Sequence, residues 1–474
     1  MGAADACTLQ GRAGPAGSRT GGSGLFPKGT GPGRGHNSTG IVGKAMSSAY
    51  FFMTTLGCRV NQYESQAISE ALQRQGLVPA DGPEQAGYIY VNSCAVTARA
   101  VKDLKKTLRR LRVQAPQARI IVTGCAAQIF EEELGALEEV DLVVPQSRKT
   151  SILASPFPDP DAGDPGLDYW ITSYFRARPV VKVQDGCSRG CSYCIVPASR
   201  GAPVSRPPEV VLREIQGLLN RGYREIVISG INLSMYGVDL NTREDFWDLI
   251  CYLEKNLASE WEDRMRLRLS SLDPAMLDSR GIDIISSSVL ICPHFHLSLQ
   301  SGCTWVLTRM GRDHYHPAKA IFFVERLERT IPFYSMGADF LVGFPGEKPD
   351  YFERTLKLTE ALPLSYGHVF TYSPRPGTRA ARWPDQIAQH VKEKRARELK
   401  EVLKHKRQHF TSKLLREDKL RLIMETPYKG MSEYYMDCFI EDQNLGLKPG
   451  DTVSAAPYKI QESKLMVEVF SQYW

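Results

Sequence analysis

Residues 184–194 read QDGCSRGCSYC, and the three cysteines of this stretch, Cys187, Cys191 and Cys194, follow the spacing Cys-x3-Cys-x2-Cys. Three thiolates on one short loop can hold three irons of a cubane cluster and leave the fourth iron without a protein ligand. A structural zinc site would add a fourth cysteine or histidine at similar spacing, and none follows Cys194 within twenty residues. The spacing therefore favours an iron–sulfur cluster with one open coordination position, with zinc as the alternative.

The cysteine loop follows a predicted strand, and strands alternate with helices for about 200 residues beyond it. Such alternation is typical of βα units built around a parallel sheet. It predicts a partial TIM barrel of the (βα)6 type, in which chemistry takes place at the C-terminal ends of the strands. The predicted strands are Val180–Val183, Glu225–Ser229, Arg266–Leu269, His294–Leu299, Ser335–Val342 and His368–Thr371.

A second α/β pattern precedes the cysteine loop and predicts a flavodoxin-like parallel α/β sandwich. Its predicted strands are Tyr50–Thr55, Tyr88–Val91, Ile120–Val122 and Asp141–Val144. Three cysteines, Cys58, Cys94 and Cys125, come shortly after the first three of these strands. Because open α/β folds place their ligands at the carboxyl edge of the sheet, we expect the three thiols to converge there. The alternative is that they are three small buried apolar residues.

The composition indicates a soluble protein of a reducing, cytoplasmic compartment. Of the 474 residues 42% are hydrophobic, and no uninterrupted apolar run reaches the roughly 18 residues of a membrane span. The eleven cysteines are odd in number and follow no secretory signal, which favours metal or redox chemistry over disulfides. The net charge of +6 permits a nucleic-acid partner without requiring one.

Changes in composition along the chain suggest four segments. Residues 1–47 are rich in Gly, Ser, Ala and Pro and predict a disordered or non-native extension, and Met46 is a possible alternative start. The sandwich is expected over 48–155, the barrel over 170–410 and a small antiparallel β-barrel over 411–474. A basic helix predicted over 386–421 is either a solvated face or a contact for RNA phosphates. Four tyrosines could stack on bases or belong to the small barrel itself: Tyr428, Tyr434, Tyr435 and Tyr458.

Four cysteine motifs together resemble the radical S-adenosylmethionine methylthiotransferases. They are DGCSRGCSYC at 185–194, TLGCRVNQYES at 55–65, VNSCAVT at 91–97 and VTGC at 122–125. The resemblance runs from about residue 50 to the end of the chain. It implies an N-terminal methylthiotransferase domain, a radical SAM barrel and a C-terminal RNA-binding barrel of the TRAM type.

The resemblance implies an enzyme with two [4Fe-4S] clusters. Cys187, Cys191 and Cys194 would carry the catalytic cluster, which binds S-adenosylmethionine and cleaves it to a 5′-deoxyadenosyl radical. The second cluster, on Cys58, Cys94 and Cys125, would deliver sulfur, and a second S-adenosylmethionine would supply the methyl group. Further cofactor contacts are expected at Ser229, Gly230, Ser271 and Gln300. Arg200 and Arg206 are candidates for contact with a cofactor carboxylate or an RNA phosphate.

The substrate that the resemblance implies is the modified adenosine at position 37, next to the anticodon in a tRNA stem–loop. The segments at 59–65 and at 368–378 (HVFTYSPRPGT) resemble the branch acting on threonylcarbamoyladenosine. Isopentenyladenosine in tRNA and a ribosomal-protein aspartate are the alternatives within the family. A monomer served by flavodoxin or ferredoxin is expected. An alternative of another class is a non-catalytic RNA-binding protein that carries zinc or a cluster.

Three positions depart from the pattern of these methylthiotransferases. Cys303 stands where a small polar residue is usual, Val204 replaces an arginine, and Pro145 replaces a glycine. None of the three removes a predicted cluster ligand. Cys303 is expected to place an additional thiol near the predicted cavity.

Overall fold

The computed structural model describes residues 49–159, 165–241, 243–442 and 444–472. The predicted extension at 1–47 lies outside these ranges, as does the middle of a Pro/Asp/Gly-rich stretch, residues 160–164. The ten cysteines within the described ranges are all free thiols. In the same ranges, the helices are too short or too polar to cross a bilayer.

The first group of elements is an α/β sandwich around a five-stranded parallel sheet. Its strands are β1 (Tyr50–Thr55), β2 (Val78–Pro79), β3 (Tyr88–Ser93), β4 (Arg119–Gly124) and β5 (Leu142–Pro145). Its helices are α1 (Arg59–Arg74), α2 (Ala98–Gln114), α3 (Cys125–Ile129), α4 (Glu131–Gly135) and α5 (Ser151–Ala154). The strand order β2-β1-β3-β4-β5 is that of flavodoxin-like sheets, which confirms the predicted sandwich.

Helix α1 begins earlier than the sequence suggested, and this brings it to the sheet edge. The sequence pattern predicts a helix over Ser65–Gln75, whereas the helix starts at Arg59 with Cys58 as an extended N-cap residue. Val60, Tyr63 and Ala67 are buried along one face of the helix, so the apolar periodicity already includes its first turn. Cys58 therefore lies at the junction of the β1 loop with α1.

The second group is an open barrel with six main parallel strands. Its strands are β6 (Val180–Asp185), β7 (Val204–Ser205), β8 (Glu225–Gly230), β9 (Arg266–Leu269), β10 (Ser271–Leu272), β11 (His294–Gln300), β12 (Ser335–Val342) and β13 (Tyr366–Thr371). Its helices are α6 (Val196–Arg200), α7 (Pro208–Asn220), α8 (Phe246–Trp261), α9 (Ser279–Ser287), α10 (Thr304–Met310), α11 (Ala318–Thr330), α12 (Pro349–Ala361) and α13 (Gln389–Leu414). The strands form two four-stranded sheets, β7-β6-β8-β9 and β10-β11-β12-β13, linked by a bridge between Leu267 and Ile291. The predicted (βα)6 architecture is confirmed.

Side chains alternate between the two faces of each barrel strand. Phe295 and Leu297 on β11 belong to the apolar core under the surrounding helices, and Phe295 packs edge-to-face on Phe323 of α11. Because successive side chains point to opposite faces, His294 and His296 face the barrel interior. This interior is therefore polar along β11.

The third group is a closed five-stranded barrel. Its strands are β14 (Leu420–Thr426), β15 (Lys429–Ser432), β16 (Asp437–Phe439), β17 (Thr452–Gln461) and β18 (Lys464–Ser471), in the order β14-β15-β16-β18-β17. The sequence pattern predicts one of the strands of this barrel over Tyr434–Ile440, but the chain turns there at Tyr435, whose φ is +59°, and the strand begins only at Asp437. Neighbouring strands are antiparallel except β16 and β18, which pair in parallel. The limits of the predicted domains, 48–155, 170–410 and 411–474, stay a prediction.

The C-terminal barrel docks on the large barrel through two arginines of β9. Arg266 and Arg268 both pair with the buried Glu225 carboxylate, each at 2.6 Å. Their remaining N–H groups donate to backbone carbonyls of the small barrel, namely those of Arg421, Met431, Ser432 and Glu433, at 2.8–3.0 Å. A buried ion group thus joins the two barrels.

Helix α13 is shorter than its predicted span of 386–421, and part of its basic charge is structural. Lys392 is buried and donates to the Tyr372 carbonyl at 3.0 Å, and Arg395 is buried against Glu347 at 2.7 Å. Lys406 donates to the carbonyls of Glu360 and Leu362. The prediction of a phosphate contact is therefore wrong for these three residues. Six lysines and arginines of the helix stay exposed: Lys394, Arg397, Lys400, Lys404, Arg407 and Lys413.

Candidate functional site

The loop with Cys187, Cys191 and Cys194 follows β6 at the C-terminal end of the barrel strands. Its shape depends on Gly186, whose φ is +67° and where an added Cβ would lie 1.9 Å from the Ala202 carbonyl oxygen. The Cys187 N–H donates to the Gly201 carbonyl at 3.0 Å. The loop therefore lies at the predicted edge, where its backbone is fixed.

The thiols of this loop are surrounded by groups that can act on them. Burial raises the pKa of Cys194 to about 12. Burial also raises the pKa of Cys191, and the charge of Arg312 offsets part of this increase. The Asn232 amide donates to the Cys187 sulfur at 3.5 Å. Thiolates are the metal-binding form of cysteine, so a bound cation and Arg312 would both favour the form that holds a cluster.

Cys58, Cys94 and Cys125 converge at the carboxyl edge of the N-terminal sheet, as predicted. An added Cβ at Gly57 would lie 2.7 Å from Cys94 Cβ, so the Cys58 loop packs directly on Cys94. Burial, Cys125 and Cys58 raise the pKa of Cys94 to about 11. The three thiols lie close enough to influence one another's pKa. This favours a common ligand group over the alternative of three unrelated small core residues.

The spacing of the sulfurs does not fit tetrahedral zinc. In the ranges that the structure describes, only His296, Asp339 and His368 form a group of three potential ligands with all their donor atoms within 4.8 Å of one another. Neither cysteine triplet is so compact, whereas a zinc ion with bonds near 2.3 Å holds its sulfurs roughly 3.8 Å apart. Wider triplets fit a cluster, in which each thiolate binds a different iron.

Arg200 joins the two cysteine groups. It ends helix α6, which follows Cys194, and its Nε lies 3.3 Å from the Cys125 sulfur. Its guanidinium also contacts Glu64 at 3.0 Å and Asp185 at 2.8 Å, and its side chain is only 1% exposed. The prediction of a cofactor or phosphate contact for Arg200 is wrong, because its N–H groups are used between the sandwich and the barrel.

Arg206, the second basic candidate, is also used inside the protein. It pairs with Glu214 at 2.6 Å and donates to the Tyr63 hydroxyl at 3.1 Å. It therefore helps to hold helix α1 against the barrel.

Cys303, predicted to place a thiol near the cavity, is fully buried among apolar side chains such as Val306 and Phe344.

The four predicted cofactor contacts lie at strand ends on the cysteine side of the barrel. Ser229 and Gly230 end β8, Ser271 begins β10, and Gln300 ends β11. Gln300 has a φ of +61°, and such a conformation in a non-glycine residue is often retained at functional sites. Their contact with a cofactor stays a prediction.

Sequence reasoning missed a polar layer inside the barrel. The Tyr366 hydroxyl lies 2.8 Å from His294 Nε2 and 2.9 Å from His296 Nδ1. His296 Nε2 lies 3.0 Å from an Asp339 oxygen, and His368 pairs with Asp339 across the β12–β13 ladder. The alternation of polar residues at 294, 296, 298 and 300 was the available signal, because period two puts them on one face.

Comparison with known proteins agrees with this arrangement. Residues 50–145 match the uncharacterized protein family UPF0004, and residues 181–359 match the radical SAM superfamily. The radical S-adenosylmethionine methyltransferase TsrM from Kitasatospora setae has a similar fold, with a TM-score of 0.53, 14% sequence identity and 70% and 75% of the two chains covered.

Two curated relatives are similar over most of their length. The threonylcarbamoyladenosine tRNA methylthiotransferase MtaB of Thermotoga maritima is 33% identical, with 86% of this chain and 94% of the relative covered. The tRNA-2-methylthio-N(6)-dimethylallyladenosine synthase of Herpetosiphon aurantiacus is 34% identical, with 70% of this chain and 76% of the relative covered. The chain therefore belongs to the radical SAM methylthiotransferases and, within them, to the MtaB type.

Proposed function

We propose that this chain is a tRNA methylthiotransferase that converts N6-threonylcarbamoyladenosine at position 37, next to the anticodon, to its 2-methylthio derivative. The observation that carries the proposal is the junction of two cysteine triplets, with Arg200 extending from the barrel loop to Cys125 at 3.3 Å. The similarity to the Thermotoga maritima relative, which covers 94% of that protein, supports the same substrate.

Two [4Fe-4S] clusters and S-adenosylmethionine are the proposed cofactors. Cys187, Cys191 and Cys194 would hold the cluster that supplies an electron for reductive cleavage of S-adenosylmethionine and thereby for C–H activation. Cys58, Cys94 and Cys125 would hold the cluster that supplies sulfur. The wide spacing of both sulfur groups supports this assignment.

The chain's own residues would orient and enclose these groups. Arg312 is held by Asp273 at 3.1 Å and by the Ser298 carbonyl at 2.9 Å, so its charge is fixed beside Cys191. Asn232 donates toward the sulfur of Cys187. Ser229, Gly230, Ser271 and Gln300 would bind the cofactor at the same edge. A fixed cation and fixed donors favour the deprotonated, metal-binding sulfur without reorganisation.

The partners that we propose are the anticodon stem–loop of tRNA and a small electron donor such as flavodoxin or ferredoxin. The exposed basic residues of α13, including Arg397 and Lys400, and the C-terminal barrel would contact RNA phosphates. Tyr428 and Tyr458 are 46% and 44% exposed and would be free to stack on bases. We further propose that the enzyme acts as a cytoplasmic monomer.

Anaerobic reconstitution with iron and sulfide tests the two clusters. We expect about eight irons per chain, corresponding to two cubanes, and release of 5′-deoxyadenosine from S-adenosylmethionine. Cys191→Ala should abolish both cofactor cleavage and product. Cys94→Ala should still cleave S-adenosylmethionine but fail to insert sulfur. Full product from the Cys94 variant would contradict the division of labour, and tightly bound zinc without cofactor cleavage would favour a non-catalytic RNA-binding protein.

Mass spectrometry of tRNA nucleosides from a deletion strain tests the substrate. We expect loss of the methylthio derivative of threonylcarbamoyladenosine and accumulation of its precursor. Loss of the methylthio derivative of isopentenyladenosine instead would assign the enzyme to the dimethylallyladenosine branch. Unchanged tRNA nucleosides together with an unmodified ribosomal-protein aspartate would move the reaction to protein.

A further inference from the structure

Arg59 carries a positive charge inside the protein without an acidic partner. It follows Cys58 directly, is half-buried, and makes no ion pair with any carboxylate of residues 49–159, 165–241, 243–442 and 444–472. Its Nη2 donates to the Tyr435 hydroxyl at 2.9 Å. The neighbouring Arg178 differs, because Glu225 and Glu425 neutralise it at 3.2 and 2.5 Å. Arg59 therefore retains donors for an anionic ligand.

Arg59 also lines a cavity with a volume of about 630 Å³. This volume falls within the range of small-molecule sites. Tyr174, Phe175 and Arg176 line the same space. Aromatic rings beside guanidinium groups match the bases and phosphates of unpaired nucleotides. A nucleotide chain in this cavity would pass within reach of Arg59.

Tyr435 connects Arg59 with the polar layer of the barrel interior. Its ring centroid lies 4.6 Å from that of His294 and 5.5 Å from that of Tyr366. Most polar groups of this layer bond to one another, but the buried His294 Nδ1 has no partner among the described residues. A substituent with amide or hydroxyl groups could satisfy it, whereas an apolar one would leave it unpaired, and sites reject substrates that leave a buried polar group unpaired.

The histidines of this layer do not compete with Arg59 for a negative charge. Burial, Arg268, His296 and Arg59 hold the pKa of His294 well below its usual value. Burial, His296 and Arg59 likewise lower the pKa of His368. Both rings are therefore neutral at pH 7, and the guanidinium supplies the cation.

We propose that Arg59 binds the threonine carboxylate of the substrate nucleoside and thereby selects an anionic N6 substituent over a neutral one. This assignment rests on the proposed function and adds a residue that determines specificity. Because Arg59 follows Cys58, the same turn would recognise the substituent and carry a ligand of the sulfur-supplying cluster. The guanidinium fork matches a carboxylate in a bidentate geometry.

Binding of synthetic anticodon stem–loops to the reconstituted full-length protein tests the assignment. Two RNAs differ only at the nucleoside at position 37, which carries threonylcarbamoyladenosine or its carboxamide, in which the carboxylate is amidated. Wild-type protein should bind the carboxylate RNA about 10- to 100-fold more tightly, as expected for a charge-assisted bidentate contact. Arg59→Gln should abolish this ratio, and Arg59→Lys should restore part of it.

Arg176→Gln is the matched control, because Arg176 lines the same cavity and is exposed over Phe175. The Arg176→Gln variant should bind both RNAs more weakly than the wild-type protein, by the same factor. If Arg59→Gln loses iron or unfolds, Tyr435→Phe replaces it, since this variant removes only the hydroxyl that holds the guanidinium. We expect Tyr435→Phe to lower the ratio about 2- to 10-fold.

A wild-type ratio near one, or an unchanged ratio in both Arg59→Gln and Tyr435→Phe, would overturn the assignment. These outcomes differ from failure of the proposed function. That failure would appear as wild-type enzyme that makes no methylthio product from the threonylcarbamoyladenosine RNA under reducing conditions with S-adenosylmethionine.

Discussion

Gly186 shapes the loop that carries Cys187, Cys191 and Cys194. Its φ of +67° lies in the region that favours glycine, and the Ala202 carbonyl occupies the space in which a side chain would begin. Gly201, close by, also has a positive φ but has open space around it. A side chain at Gly201 would therefore meet backbone strain alone, whereas one at Gly186 would meet both backbone strain and a steric clash.

Gly186→Ala is expected to empty the barrel cluster and spare the other. Reconstituted protein should hold about four irons instead of about eight and should release no 5′-deoxyadenosine. Gly201→Ala, with strain alone of about 1 kcal/mol, should keep its iron. Iron analysis and cofactor cleavage measure both, and equal iron in the two variants would contradict the steric argument.

Arg200 is expected to be one of the most costly single residues to replace. Arg200→Gln leaves Asp185 and Glu64 with one fewer cation, and breaking a buried pair costs about 3–5 kcal/mol. Urea unfolding at pH 7 measures the loss. The control is Arg148→Gln, which removes a partly exposed pair with Glu131 at 3.4 Å and should cost about 0–1 kcal/mol. Equal losses would show that burial of the Arg200 group contributes nothing.

Sequence patterns identified the cysteines and singled out Arg200, but they predicted neither the contact of Arg200 with Cys125 nor that of Arg59 with Tyr435. A cysteine triplet is a local signal, since Cys187 and Cys194 lie on one loop. Arg200 and Cys125 are 75 residues apart in the chain, and Arg59 reaches Tyr435 across 376 residues. Contacts of that kind depend on how three folded units dock, which periodicity and spacing do not encode.

At the scale of elements, α13 combines a buried basic face with an exposed one. The residues at 397, 400, 404 and 407 recur at three- and four-residue intervals, so they lie along one side of the helix. Lys392 and Arg395 instead hold the helix against the barrel. One charged segment thus has a structural and a solvent-facing part.

Replacing exposed charge on α13 is expected to weaken RNA binding without lowering stability. Arg397→Gln with Lys400→Gln should reduce the slope of log affinity against log salt by about 0.7 to 0.9 for each lost phosphate contact. Lys392→Gln should lower stability by about 1–3 kcal/mol, because the Tyr372 carbonyl loses its donor, and leave the slope unchanged. Binding titrations at several salt concentrations measure this slope. An unchanged slope in the double variant would show that the exposed basic residues of α13 face solvent and do not contact RNA phosphates.

Most elements of the two α/β units could be predicted, whereas short ones could not. Strands such as Arg266–Leu269 and Ser335–Val342 agree with their predicted bounds, because apolar residues recur along them between clearly polar segments. The C-terminal strand predicted over Tyr434–Ile440 is interrupted at Tyr435, whose positive φ is adopted against the preference of a bulky residue. Tertiary contacts, here with Arg59 and His294, override local propensity at such a position.

At the scale of the whole molecule, Glu225 holds the two barrels together. Burial raises the pKa of its carboxyl, but Arg268, Arg266 and Arg178 outweigh burial and hold this pKa well below its ordinary value. The folded state therefore binds a proton at Glu225 less readily than the unfolded state. Its stabilising contribution is complete above the unfolded pKa of about 4.3 and is lost as the pH falls toward the folded pKa.

Glu225→Gln should lower the stability at pH 7 by about 3–5 kcal/mol, because three arginines lose their counter-charge. The difference from wild type should narrow as the pH falls below about 4. Urea midpoints at pH 7 and at lower pH test both statements. Glu353→Gln, which removes a solvent-exposed pair with Lys357, should leave the midpoint unchanged at either pH. A constant difference across this range would contradict the linkage.

Through Tyr435 the C-terminal barrel also forms part of the interior of the large barrel. The tip of this barrel reaches the interior of the large one, where it contacts Arg59, His294 and Tyr366. A foreign RNA-binding module grafted in its place would leave the enzyme's interior open to bulk water. The C-terminal barrel therefore completes the interior of the large barrel, and its turn has to fit the first turn of α1.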